Sequence, residues 1–312
     1  MRGTVVKSTG NIFIVKGENN NRIECKLRGA FRLKGHKSTN PVVVGDYVDF
    51  IFDEEQNTGQ ITELLDRKNF IIRKSVKLSK QTHIIAANID TAFLLVTLTL
   101  PKTPWNFIDK YLATCEAYHI PAVLVFNKID IYDEKLNQKL RETIDIYEKI
   151  GYKCISVSAT ENINLDELKL EMKNKTSLFS GVSGAGKTTI INKIEPNLNL
   201  KTSNISDSYS KGVHTTTFSE MFELSFGGYI IDTPGIQEFE VLDFELYEIT
   251  HFFPEMFKLL SQCQYNNCMH VSEPNCAVKK AVEEGSVSES RYRNYINILN
   301  YVKELKEKEF KK

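Results

Sequence analysis

Four things are missing from these 312 residues: net charge, a long apolar run, internal repeats and low-complexity tracts. The longest apolar stretch, Thr91 to Leu100, falls far short of the roughly 18 residues a membrane helix needs. The opening MRGTVVKSTG lacks the apolar centre of a secretory signal. The expectation is therefore a cytoplasmic protein with no membrane partner. Cysteine is sparse, with six residues in all, and a cytosolic chain keeps its thiols reduced, so a disulfide framework is not expected. What is present is ordinary for a globular chain: 41% hydrophobic and 26% charged residues, which excludes disordered and fibrous classes. The length suggests about two to three domains.

The charge total of +0, from 40 basic and 40 acidic residues, would argue against nucleic acid only if charge were evenly spread. It is not. Residues 1–80 carry 15 basic and 9 acidic groups, and residues 291–312 carry 7 and 3. The middle of the chain is correspondingly acidic. Basic ends around an acidic centre suit contact with a phosphate backbone by the outer parts.

Along the chain, TVVKS, NIFIVK, RIECKL, GDYVDFIF and TGQITELL are short strand-like runs separated by turn formers. Five strands without a helix predict a small barrel, OB-like in the first instance, with an SH3-like barrel as the rival. From about Ala87 the runs TAFLLVTL, AVLVF, KCISVS, TSLFSG and GYIID alternate with helical stretches near 106–118, 134–150, 165–174 and 187–195. That alternation predicts a mostly parallel sheet covered on both faces. Beyond Glu240 helical segments surround a Cys/His cluster, and a charged helix runs from about Ser288 onward. The expected domains are a barrel over 1–75, an α/β domain over 76–242 and a helical metal-bearing domain over 243–312.

Residues 181–188, GVSGAGKT, match G-x-x-x-x-G-K-[ST] between an apolar strand and a helix, the context a phosphate-binding loop requires. Gly181, Gly184 and Gly186 would let backbone N–H groups wrap around phosphate oxygens. Lys187 would reach the β- and γ-phosphates, and the Thr188 hydroxyl would hold Mg²⁺. Asp232 to Gly235, DTPG, follows a strand at the place where a P-loop protein senses the γ-phosphate. In NKID, residues 127–130, Asp130 would accept from guanine N1–H and the 2-amino group, which adenine cannot supply together. Asn127 would tie this turn to the phosphate loop, and the stem of Lys128 would cover the base. SVSA at 156–159 would let the Ala159 N–H bind guanine O6, with Ser158 beside it in the binding set. The order is unusual, because the guanine elements precede the phosphate loop: the GTPase is circularly permuted, which close domain termini allow.

The position after the DTPG glycine is Ile236, which cannot orient water, so another group must do so. In GVHTTT, residues 212–217, His214 is the candidate catalytic residue, since a neutral imidazole can accept from water. A solvent-exposed loop histidine is the plainer alternative. Thr216 is the candidate second Mg²⁺ hydroxyl, ahead of its neighbours Thr215 and Thr217. Cys263, Cys268, His270 and Cys276 form C-x₄-C-x-H-x₅-C, a closed tetrahedral set for one structural Zn²⁺. Cys25, Cys115 and Cys154 fall in strand or helix patterns and are expected to be buried small side chains.

The barrel, the motif order NKxD–SxA–GxxxxGKT–HTTT–DTPG and the C-terminal Cys/His spacing together resemble the ribosome small subunit-dependent GTPase A family over essentially the whole chain. The resemblance implies hydrolysis of GTP to GDP and phosphate, late in maturation of the small (30S) ribosomal subunit. It implies 16S rRNA as a partner of the barrel and zinc domain, a catalytic histidine at His214, and nucleotide binding by the whole segment 181–189, Val182, Ser183, Ala185 and Thr189 included. Val213 departs from the arginine common there. A monomer is expected, slow alone and stimulated by the small subunit. A translation-factor-like GTPase acting on translating ribosomes is the alternative; a nucleic-acid-binding module with GTP as a structural ligand is another.

Overall fold

The computed structural model describes residues 1–28, 41–74, 82–200, 219–232 and 244–310. The first five strands, β1 (Arg2–Ser8), β2 (Phe13–Gly17), β3 (Arg22–Leu27), β4 (Tyr47–Asp53) and β5 (Thr58–Leu64), alternate buried and open positions. That two-residue period turns Val5, Phe13, Val15, Cys25, Val48, Phe50 and Ile61 into one core. The strands close in the order β1-β2-β3-β5-β4, with β4 returning to β1. Only β3–β5 is parallel; the other pairs are antiparallel. A closed Greek-key barrel with that connection is OB-like, which separates it from the SH3-like rival.

Two strands absent from the sequence reading, β6 (Phe70–Lys74) and β7 (Thr82–Ala87), pair with each other as a separate ribbon. Ala86 bridges to Val44, so the ribbon is stitched to the barrel. Asn69 and Asn88 then bond Ile89 and Gly45 through their side chains and fix the entry to the α/β region.

The central sheet runs β10 (Lys153–Ser156), β9 (Ala122–Phe126), β8 (Thr91–Val96), β11 (Thr176–Gly181), β13 (Tyr229–Asp232) and β12 (Ser219–Glu223). All neighbours are parallel except β12–β13. β8 shows why its run is continuously apolar: Ala92, Leu94 and Val96 enter one core while Phe93 and Leu95 enter the core on the other face. Helices α1 (Trp105–Ala117) and α2 (Glu134–Ile150) cover the first face; α3 (Leu165–Met172) and α4 (Lys187–Ile194) cover the second. α2 is well terminated, with the Asp133 carboxylate accepting from Leu136 N and Gly151 left-handed at its end.

β12 also pairs antiparallel with β1 of the barrel, Lys7 opposite Glu220 and Ser8 opposite Ser219. Barrel and central sheet are therefore one hydrogen-bonded sheet of 11 strands. Ion pairs Lys7–Glu220 (2.9 Å) and Lys16–Glu223 (2.8 Å) flank the seam.

The last region holds a 3₁₀ segment Leu246–Phe252 and helices α5 (Pro254–Leu260), α6 (Ala277–Glu283) and α7 (Glu289–Phe310) around Ile249, Phe253, Met256, Val278 and Tyr295. It is anchored to the central domain by Arg291, which is fully buried and bonds Asp109 of α1 at 2.7 Å and Glu255 at 2.8 Å. Tyr147 (2.8 Å) and Asn294 (2.5 Å) complete the shell of Asp109. Among the described residues, no helix is long and apolar enough to cross a membrane.

Candidate nucleotide site and metal centre

The phosphate loop begins where β11 stops and ends where α4 starts. Gly181, Gly184 and Gly186 have φ of 147°, 78° and 98°, a backbone path that leads from strand to helix through left-handed turns. Gly186 is constrained twice, because a Cβ there would lie 2.4 Å from the Asn127 amide nitrogen. Lys187, the first helical residue, folds over the loop and donates to Gly181 O (2.6 Å) and Val182 O (3.2 Å). Ser183 is exposed, Ala185 buried, and Thr188 and Thr189 half-buried in the first turn of α4. The helix N-terminus and the loop N–H groups favour an anion here.

Adjacent parallel strands bring the guanine motifs to the same edge of the sheet. Asn127 follows β9; its N–H donates to Val96 O at 2.8 Å and its side-chain amide to Ala185 O at 2.8 Å. That second bond joins the NKID turn to the phosphate loop, 58 residues away in sequence. Asp130 is exposed on the 3₁₀ turn Ile129–Ile131, which leaves its carboxylate open to a ligand. The next strand carries SVSA alongside: Val157 N bonds Phe126 O, and Ile129 N bonds Val157 O. Ser158 is buried and caps its own loop, its hydroxyl accepting from Glu161 N at 3.1 Å, with Ala159 buried beside it. Asp232 closes β13, the strand next to β11, with its backbone paired to Glu220. His214, Thr216 and Gly235 lie outside the described residues.

Sequence reasoning missed the partner of Lys128. Its ammonium donates to the carbonyl of Leu100, in the loop between β8 and α1. No local signal points to that loop, because the contact is made by a backbone oxygen.

Cys263, Cys268, His270 and Cys276 converge, with their ligating atoms buried and all within 4.8 Å of one another. His270 Nδ1 lies 3.3 Å from Cys276 Sγ and 3.7 Å from Cys263 Sγ. The loop is held by Glu273, whose carboxylate accepts from the N–H groups of Met269, Val271 and Ser272. Tyr292 and Tyr295 donate to His270 O and Met269 O from α7. Burial pushes the Cys268 thiol up to about 12 and raises Cys276, while it lowers His270. A neutral imidazole and three sulfurs, which ionise only beside a cation, fit a closed Zn²⁺ centre. Glu273 and the two tyrosines were not evident in sequence, although the turn SEPN gives a hint of the first. Cys25 and Cys115 are buried and Cys154 half-buried, each with its thiol pushed up by burial, as expected of packing residues.

A phosphate loop, a guanine turn that precedes it in the chain and a mostly parallel sheet define a circularly permuted P-loop GTPase. The RsgA N-terminal domain model matches residues 2–61 and the RsgA GTPase model residues 64–242. The chain is 53% identical over 301 residues to the small ribosomal subunit biogenesis GTPase RsgA of Flavobacterium psychrophilum, covering 96% of this chain and 92% of that one. It is 52% identical over 299 residues to the protein of that name from Phocaeicola vulgatus, covering 96% of each. The crystal structure of YjeQ from Thermotoga maritima is similar with a TM-score of 0.79 at 36% identity, over 96% of this chain and 98% of that one. That of YloQ, a circularly permuted GTPase, has a TM-score of 0.76 at 27% identity, over 97% and 95%. The chain belongs to the RsgA GTPase family.

Proposed function

We propose that this chain is a ribosome-biogenesis GTPase that docks on the small ribosomal subunit and hydrolyses GTP there, slowly alone and faster when docked. The observation that carries the reading is the Asn127–Ala185 bond, which makes the guanine turn and the phosphate loop one site. In this reading Asn127, Lys128, Asp130, Ser158 and Ala159 bind the base. Residues 181–189 hold the phosphates, and Asp232 and Gly235 sense the γ-phosphate. Thr188 and Thr216 hold the Mg²⁺ that the family implies, and a bound Mg²⁺ neutralises charge developing on the phosphate oxygens. His214 orients the attacking water, and the docked small subunit accelerates turnover. The basic barrel and the C-terminal domain, held by one Zn²⁺, contact 16S rRNA. The full-length relatives named for small-subunit biogenesis support the choice of partner. The setting is the cytoplasm and the working form a monomer.

The test is GTP hydrolysis measured with and without purified small subunits. A rise in turnover of at least about 100-fold is expected, the low end of what a positioned general base contributes. Equal rates would overturn the assignment. His214→Ala should abolish the rise while leaving GDP affinity within about threefold, because water activation contributes to the transition state and not to product binding.

A further inference from the structure

Lys128 is a non-glycine residue with φ of 66°, a conformation that an L-residue keeps only where its surroundings hold it. The phenol of Tyr132 supplies that restraint. Its hydroxyl donates to Asn127 O at 2.8 Å and accepts from Leu98 N at 2.9 Å, and the residue is 7% exposed. One oxygen thus fastens the backbone just before Lys128 to the loop between β8 and α1. That loop is itself tied: Thr103 N donates to Thr97 O at 2.8 Å, Thr97 N donates to the Thr103 hydroxyl at 3.0 Å, and the Thr97 hydroxyl donates to Pro101 O. The same loop presents Leu100 O to the Lys128 ammonium. Backbone and side chain of Lys128 are therefore bonded to a single frame, of which Tyr132 is the bolt.

We propose that Tyr132 is a positioning residue for guanine-nucleotide binding, holding Lys128 in place to cover the base before the nucleotide arrives. The proposal rests on NKID being the base-reading turn. Preorganisation of this kind raises affinity by removing an ordering cost at binding, without a new contact to the ligand. Neither the hydroxyl of Tyr132 nor the carbonyl of Leu100 needs to touch the nucleotide.

The full chain carrying Tyr132→Phe keeps the ring and loses both hydrogen bonds. Its Kd for fluorescent GDP should rise about 3- to 10-fold, mostly through faster release, because only part of the energy of the two lost bonds is felt at the ligand. In a Lys128→Ala background the same change should alter Kd by less than about twofold, because the residue through which it acts is gone. A purely structural tyrosine would give the same loss in both backgrounds, and that result overturns the proposal, as does an unchanged Kd in the single variant. Asp130→Ala separates the two levels of inference. If it leaves GDP affinity intact, the base-reading assignment itself fails. If it weakens binding and Tyr132→Phe does not, only the positioning role fails.

Discussion

The candidate nucleotide site and the Cys/His cluster, each proposed to take a charged ligand, are built in opposite ways. The first draws on turns as far apart as Asn127 and Ala185, uses mostly backbone groups and glycine, and sits at the edge of a sheet with a full core on each face. The second takes four side chains from fourteen residues of loop and buries their ligating atoms. A site positioned by strand ends keeps its shape through the packing beneath it. A site positioned by its own donors depends on the ion for cohesion, because buried thiols otherwise stay protonated and separate.

The strongest way to break this contrast is to remove the Zn²⁺ that the Cys/His cluster is proposed to hold. Chelation should cost the C-terminal region on the order of 10 kcal/mol of structural stabilisation. Far-UV circular dichroism should lose the helical signal of residues 254–310, while GDP binding persists within a few-fold. An unchanged spectrum in protein shown to be metal-free would contradict the dependence. Next in size is the anchor between the two regions. Arg291→Met would strand the buried Asp109 and the largely buried Glu255, and should lower stability by about 3–5 kcal/mol in a denaturant titration. A loss below about 1 kcal/mol would mean that the pair is not the anchor.

A smaller effect sharpens the other half of the comparison. Gly186→Ala places a Cβ against the Asn127 amide at a φ of 98°, so the phosphate loop must open. GDP affinity should fall at least about fivefold, an effect of about 1–3 kcal/mol, with the helical content unchanged. Calorimetric titration with GDP checks this. The smallest effect belongs to the seam between barrel and sheet. Lys7 and Glu220 are both about a third exposed, so Lys7→Ala should cost less than about 1 kcal/mol in thermal unfolding. The backbone pairing of β1 with β12 carries that junction instead.

What was legible in sequence divides along the same line. GVSGAGKT, NKID and the Cys/His spacing are local patterns in which residue type and order express the chemistry directly. The continuous apolar run of β8 announced a sheet buried on both faces. Contacts of long range left no such mark. Asp109 and Arg291 are ordinary charged residues on helices until the fold buries them together, 182 positions apart. β12 was overlooked because SEMFE carries too few apolar residues to stand out, and its role as the join to the barrel exists only in the assembled sheet. β6 and β7 were overlooked because each finds its register against the other and not within itself. Backbone acceptors such as Leu100 O have no side-chain signature at all.

At the centre stands the claim that NKID and GVSGAGKT form one guanine-selective site. Competition of GDP and ADP against a fluorescent guanine nucleotide on the full-length protein tests it most directly. GDP should displace the probe at concentrations at least about 100-fold below ADP, because adenine leaves the Asp130 carboxylate without its paired donors. Equal displacement by the two would contradict it.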